Sequence, residues 1–158
     1  MSTQPPLTEA EQVPLPDGFY AVPDPDAPAI MTLWHVKDGT PKARPPKGTR
    51  YGPQALRKDI PGRPGDDEYI AWMRAHFDTV GAWLKRMRAA LAANPPAAMR
   101  AYAALTNHCC NCGRALTGGT SKALGVGPDC RERMPHTLLM ALLAEVKRAR
   151  AIGGGTSE

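Results

Sequence analysis

Residues 107–134 read NHCCNCGRALTGGTSKALGVGPDCRERM, and all four cysteines of the chain fall inside them. Cys109 and Cys112 form a C-x2-C pair, and Cys130 follows a glycine-rich segment. Two thiolates at that spacing can hold one ion from a tight turn, and a third arriving at a helix start fills most of a tetrahedral shell. Glycine at 113 lets the chain turn back beneath the ion. The expected plan is treble-clef-like: a knuckle, then a hairpin with strands at 114–117 and 121–126 joined at Gly118-Gly119, then Cys130 near a helix N-terminus, where the dipole favours its thiolate. The cofactor this implies is a structural Zn2+.

The fourth ligand stays open. His136 follows Cys130 with five residues between and is the foremost candidate, although Pro135 can redirect it. His108 and Cys110 flank Cys109, but adjacent residues rarely point at one ion; His35 or water are the other choices. A redox C-x-x-C fits poorly, since it opens a helix after a strand and needs no third cysteine. The H-x-E and P-C-x-x-C signature of zinc deaminases is absent, and the lone G-x-G of residues 125–127 lacks the rest of a nucleotide fingerprint. No acid–base or nucleophile constellation is visible, so the chain does not read as an enzyme.

The surrounding 158 residues suffice for one domain with a core. No apolar run approaches a membrane span and the N-terminus does not resemble a signal peptide, so the expected location is the cytoplasm. There, clustered cysteines favour metal over disulfides. Net charge is +5. Five acids and no Lys or Arg precede Lys37, whereas 37–63 carry eight bases against Asp38 and Asp59. A basic segment of this kind matches a polyanion. Nucleic acid is therefore an expected partner, with Lys42, Arg44, Lys47 and Arg50 in that segment and Arg114, Lys122, Arg131 and Arg133 in the finger as phosphate contacts. The alternative is an adaptor or inhibitor that binds a host or phage protein, with zinc purely structural.

Along the chain, residues 1–16 lack periodicity and read as a disordered tail. Residues 17–63 form a small β region and a basic, proline-rich linker: GFYAV and AIMTLWHV are strand-like, and Lys37-Asp38-Gly39-Thr40 supplies a turn. Residues 64–106 form a helical core. Its first helix opens at Asp66-Asp67-Glu68 and stops at Asn94-Pro95-Pro96. In it Ile70, Met73, Phe77, Val80, Leu84, Met87 and Leu91 alternate steps of three and four. That face is wide enough to pack inside the chain's own domain, so a monomer is expected before a coiled-coil dimer. The zinc module at 107–136, a C-terminal helix at 137–152 and a tail at 153–158 complete an α+β protein.

The cysteine stretch resembles the signature C-x2-C-G-R-x-L-T…S…G-[IV]-G-P-x-C of an uncharacterised domain family found in actinobacterial and phage proteins. It is similar at Cys109, Cys112, Gly113, Arg114, Leu116, Thr117, Ser121, Gly125, Gly127, Pro128 and Cys130. Gly118-Gly119 stand where that family has an acidic residue and a proline. The resemblance implies a small phage-encoded zinc-finger protein and no particular activity.

Overall fold

The computed structural model describes residues 15–153. The expected tails at 1–16 and 153–158 lie outside the described residues except at their inner edges. There Leu15 is buried in the core, and the Tyr20 hydroxyl donates to the Pro16 carbonyl and holds this segment against the sheet.

The fold is α+β. Strands β1 (Gly18–Asp24), β2 (Ala27–Lys37) and β3 (Thr40–Ala43) form one antiparallel sheet in the order β1-β2-β3. The β2–β3 turn places Asp38 and Gly39 at φ 53° and 75°, the left-handed pair that a two-residue hairpin needs. Tyr20, Val22, Thr32, Trp34 and Val36 are buried. Thr32 Oγ1 donates to the Val22 carbonyl at 2.7 Å and accepts from Trp34 Nε1 at 2.8 Å, so the polar atoms in this layer are satisfied.

Helix α1 (Asp67–Ala93) carries Asp67 and Glu68 in its first turn. Helix α2 (Pro95–Thr106) begins at once, its first turn capped by the Asn94 side chain accepting from the Ala97 N–H at 3.3 Å. α2 lies against β1, and α5 (His136–Gly153) packs on α2. Two short helices, α3 (Gly119–Leu124) and α4 (Pro128–Arg133), fill the segment between them.

Two expectations change. The segment 119–124 is helical, not the return strand of a hairpin, and the only strand-like pairing there among the described residues is the single bridge His108↔Ala115. Lys122 N–H bonds to the Gly118 carbonyl and Gly125 N–H to the Ser121 carbonyl, at 2.9 and 2.8 Å. Residues 118–125 thus satisfy their backbone locally instead of across a ladder. The apolar face of α1 is also only partly used: Trp83, Met87 and Leu91 are its buried residues, while Ile70, Phe77 and Leu84 are exposed. Ile70, Phe77 and Leu84 recur at seven-residue spacing, about 100–140° around the helix from Trp83, so they share a side that Trp83 does not. The C-terminal half is anchored by Trp83, whose ring lies 6.1 Å from that of Trp34 and whose Nε1 donates to Asp24 Oδ1 at 3.0 Å.

At the other end of the core, β1 meets the cysteine turn at very close range. Phe19 N–H donates to the Cys110 carbonyl at 2.7 Å. Gly18, at φ 148°, has no room for a side chain: a Cβ there would lie 2.6 Å from the Cys110 carbonyl oxygen and 2.7 Å from Met99 Cε. Gly18→Ala should therefore destabilise the protein by about 2 kcal/mol or more, measurable as a lowered midpoint in urea unfolding.

Candidate metal centre

Asn107, left-handed at φ 56°, ends α2 and turns the chain into the knuckle. Three backbone bonds close it: Cys109 N–H to the Arg114 carbonyl at 2.7 Å, Gly113 N–H to the Cys109 carbonyl at 2.8 Å and Leu116 N–H to the Asn107 carbonyl at 2.9 Å. Gly113 adopts φ 78°, and a Cβ there would meet the Phe19 ring at 2.8 Å. The turn therefore needs glycine for its backbone and for its fit against β1. Cys130 arrives from the far side as the third residue of α4, whose start is fixed by Pro128 at its first position.

The result is a cluster of three sulfurs, those of Cys109, Cys112 and Cys130, all within 4.8 Å of one another. A tetrahedral shell with metal–sulfur bonds of about 2.3 Å places its sulfurs about 3.8 Å apart, so the three fit a single ion. Cys109 is buried, Cys130 half-buried and Cys112 exposed. The Cys109 sulfur accepts from the Asn111 and Gly127 N–H groups, both at 3.4 Å. Burial pushes this thiol up, but the N–H donors of Gly127, Cys112 and Asn111 outweigh it and leave it lowered. The Cys130 thiol is pushed up to about 11, first by burial, with the neighbouring thiols adding to it and the Asn111 side chain opposing. Donors that favour thiolate beside thiols that resist it are what a cation would resolve, by stabilising all three as anions.

The rival ligands point elsewhere. Cys110 is fully buried but its sulfur is outside the cluster; burial, then the nearby Cys109 charge, push its thiol up to about 12. His108 Nδ1 lies 2.7 Å from the Thr106 carbonyl. His35 stacks on Phe19, ring centroids 4.2 Å apart and 4° from parallel. His136 is exposed at the first turn of α5 and does not join the sulfurs. Met134 at ψ 157° leaves α4 extended, and Pro135 precedes His136.

The three cysteines share a cleft of about 370 Å³ with Arg114, Asp129 and Arg133. Of the other sequence-selected bases, Arg44 lies over the Phe19 ring at 5.9 Å, Lys42 pairs with His35 across β2–β3, and Arg50 lines a separate cavity with Asp24, Tyr51 and Trp83. Lys47 and Lys122 are exposed and Arg131 is half-buried. The Phe19–His35–Arg44 stack escaped the sequence reading; its only trace there was an aromatic in GFYAV opposite a histidine in the next strand.

A model of a family of unknown function (DUF6011) matches residues 99–135. No curated protein and no solved structure matches the chain. The matched segment contains all three clustered cysteines and begins at Met99, beside which Gly18 packs.

Two outcomes follow. Cys109→Ser, Cys112→Ser and Cys130→Ser should each lose bound metal in elemental analysis, whereas Cys110→Ala and His136→Ala should each keep one equivalent per chain. His35 is lowered from its ordinary value, by burial first and then by the charges of Arg44, Lys37 and Lys42, with Asp17 opposing. As pH falls the unfolded chain therefore takes up this proton first. The stability held by neutral His35 is complete above about 6.5 and is lost as pH drops through that value toward the folded midpoint. Two-dimensional NMR should place the His35 midpoint below that of a free histidine.

Proposed function

We propose that this is a zinc-finger protein that binds nucleic acid as an accessory or regulatory factor, with the ion in a purely structural role and a phage-type origin. The donor set supports zinc: three thiolates suit a soft-to-borderline ion without redox chemistry, and such sites contribute directly to folding. Cys109, Cys112 and Cys130 would hold it. Bound there, the ion neutralises the thiolates and ties α4 to the knuckle.

The observation that carries the nucleic-acid reading is the contact Gly113–Phe19–Arg44. One aromatic ring touches the knuckle glycine and lies under a guanidinium from the basic segment, so two basic groups that are 70 residues apart in sequence, Arg44 and Arg114, adjoin the same structural point. His35 is lowered by burial first, and Arg44, Lys37 and Lys42 lower it further, so the basic groups face this ring. A surface of this kind offers cations to phosphate oxygens together with the Phe19 and His35 rings.

Fluorescence anisotropy with a labelled duplex and a labelled single strand tests it. Affinity should fall linearly with salt on a log–log plot. Arg44→Ala or Arg114→Ala should weaken binding roughly tenfold, and each should make that slope shallower by about one, as expected when one fewer phosphate is neutralised. Absence of binding at low salt would give the function to the protein-binding alternative.

A further inference from the structure

Among the described residues, one side of α1 carries an apolar seam that is left exposed. Ile70, Phe77 and Leu84 follow one another at seven-residue spacing and are 39, 64 and 46 % exposed. Single exposed apolar residues are common, but three in heptad register on one side of one helix supply one of the two apolar positions per heptad that a helix–helix contact packs. The segment before α1 covers a different flank, because a Cβ on Gly52 would meet the Trp83 ring and one on Gly62 the Glu68 side chain. At about 100° per residue, Trp83 and Glu68 lie on roughly the opposite side of the helix from the seam.

Gly81 supplies an independent observation. It lies in the interior of α1 beside Phe77 and Leu84, where glycine costs about 1 kcal/mol relative to alanine. Nothing among the described residues compensates: a Cβ at Gly81 would meet none of their atoms within 4 Å. A missing side chain next to an apolar seam does permit the close approach of another helix.

Charge then selects the occupant. Exposed Asp67 opens α1 and exposed Lys85 stands past the seam, both on its flank. A second copy in parallel would set acid on acid and base on base, whereas an antiparallel copy sets each end against its opposite. We propose that a second copy of this chain docks on the seam antiparallel, with Phe77 near the twofold axis and Ile70 of each copy against Leu84 of the other. The interface is isologous and closed. From Ile70 to Leu84 it is about 21 Å long, so the dimer is small and of micromolar strength.

Sedimentation equilibrium on the full-length, zinc-loaded chain tests this. The weight-average mass should rise from 17.0 kDa toward twice that value as concentration climbs from about 5 µM to about 1 mM. Phe77→Glu should weaken association at least tenfold while keeping its bound metal and far-UV circular dichroism. Gly81→Gln should weaken it too while raising helix stability, an opposition that a purely intramolecular role would not produce. In oxidative cross-linking, Ile70→Cys mixed with Leu84→Cys should give the heterodimer above the wild-type background. A chain that stays at monomer mass up to about 1 mM, leaving the face to a different partner, would overturn the proposal. So would association unaffected by Phe77→Glu and Gly81→Gln, or cross-linking of Ile70→Cys to itself in preference to Leu84→Cys.

Discussion

The peptide unit of Cys110 is the joint of the molecule. Its carbonyl accepts from Phe19 N–H at 2.7 Å and its N–H donates to the Gly125 carbonyl at 3.0 Å, so one residue ties the sheet, the knuckle and the end of α3. Both partners depend on glycine backbone: Gly18 lets β1 come within reach, and Gly113 lets the knuckle lie against the Phe19 ring. Because Cys110 is flanked by Cys109 and followed closely by Cys112, anything that moves the cluster moves this joint. The sulfur of Cys110 takes no part in the cluster; its role is to be buried, small and hydrogen-bonded through its backbone.

That arrangement explains how a short sheet can organise so much helix. The sheet alone, with strands of seven, 11 and four residues, offers little area. It gains α2 along β1 and the C-terminal part of α1 through Trp83 and Asp24, and the knuckle closes the remaining end. A metal ion across Cys109, Cys112 and Cys130 would then act at a distance, by holding α4 against the knuckle and so sustaining the contact with β1. Among the described residues the same geometry leaves two surfaces exposed, the basic side around Phe19 and the apolar seam of α1.

Much of this was legible in the sequence because the signals were local. Asp67 and Glu68 bound α1 by their charge in its first turn and Asn94-Pro95-Pro96 by loss of an N–H, and Asp38-Gly39 sets the hairpin by left-handed φ; none of these needs the rest of the chain. Cysteine spacing named the three clustered sulfurs for the same reason. The failures lie where local preference is weak and tertiary contact decides. GTSKAL is too short for propensity to choose between a strand and a helix, and Gly125, packed on Ala103, ends it as a helix. The three-and-four periodicity of α1 marks a real helix, but periodicity does not say how much of a face is covered; that depends on what packs against it.

Native-state hydrogen exchange, on metal-loaded protein and on protein stripped with a chelator, tests the central coupling most directly. The account predicts that chelation removes protection from the amides of Cys109, Cys110, Gly113 and Leu116 and, through the joint, from Phe19, while the β2 amides facing β3 keep theirs. Equal protection at Phe19 and Cys110 with and without metal would contradict it, because the sheet and the knuckle would then hold together with no help from the sulfur cluster.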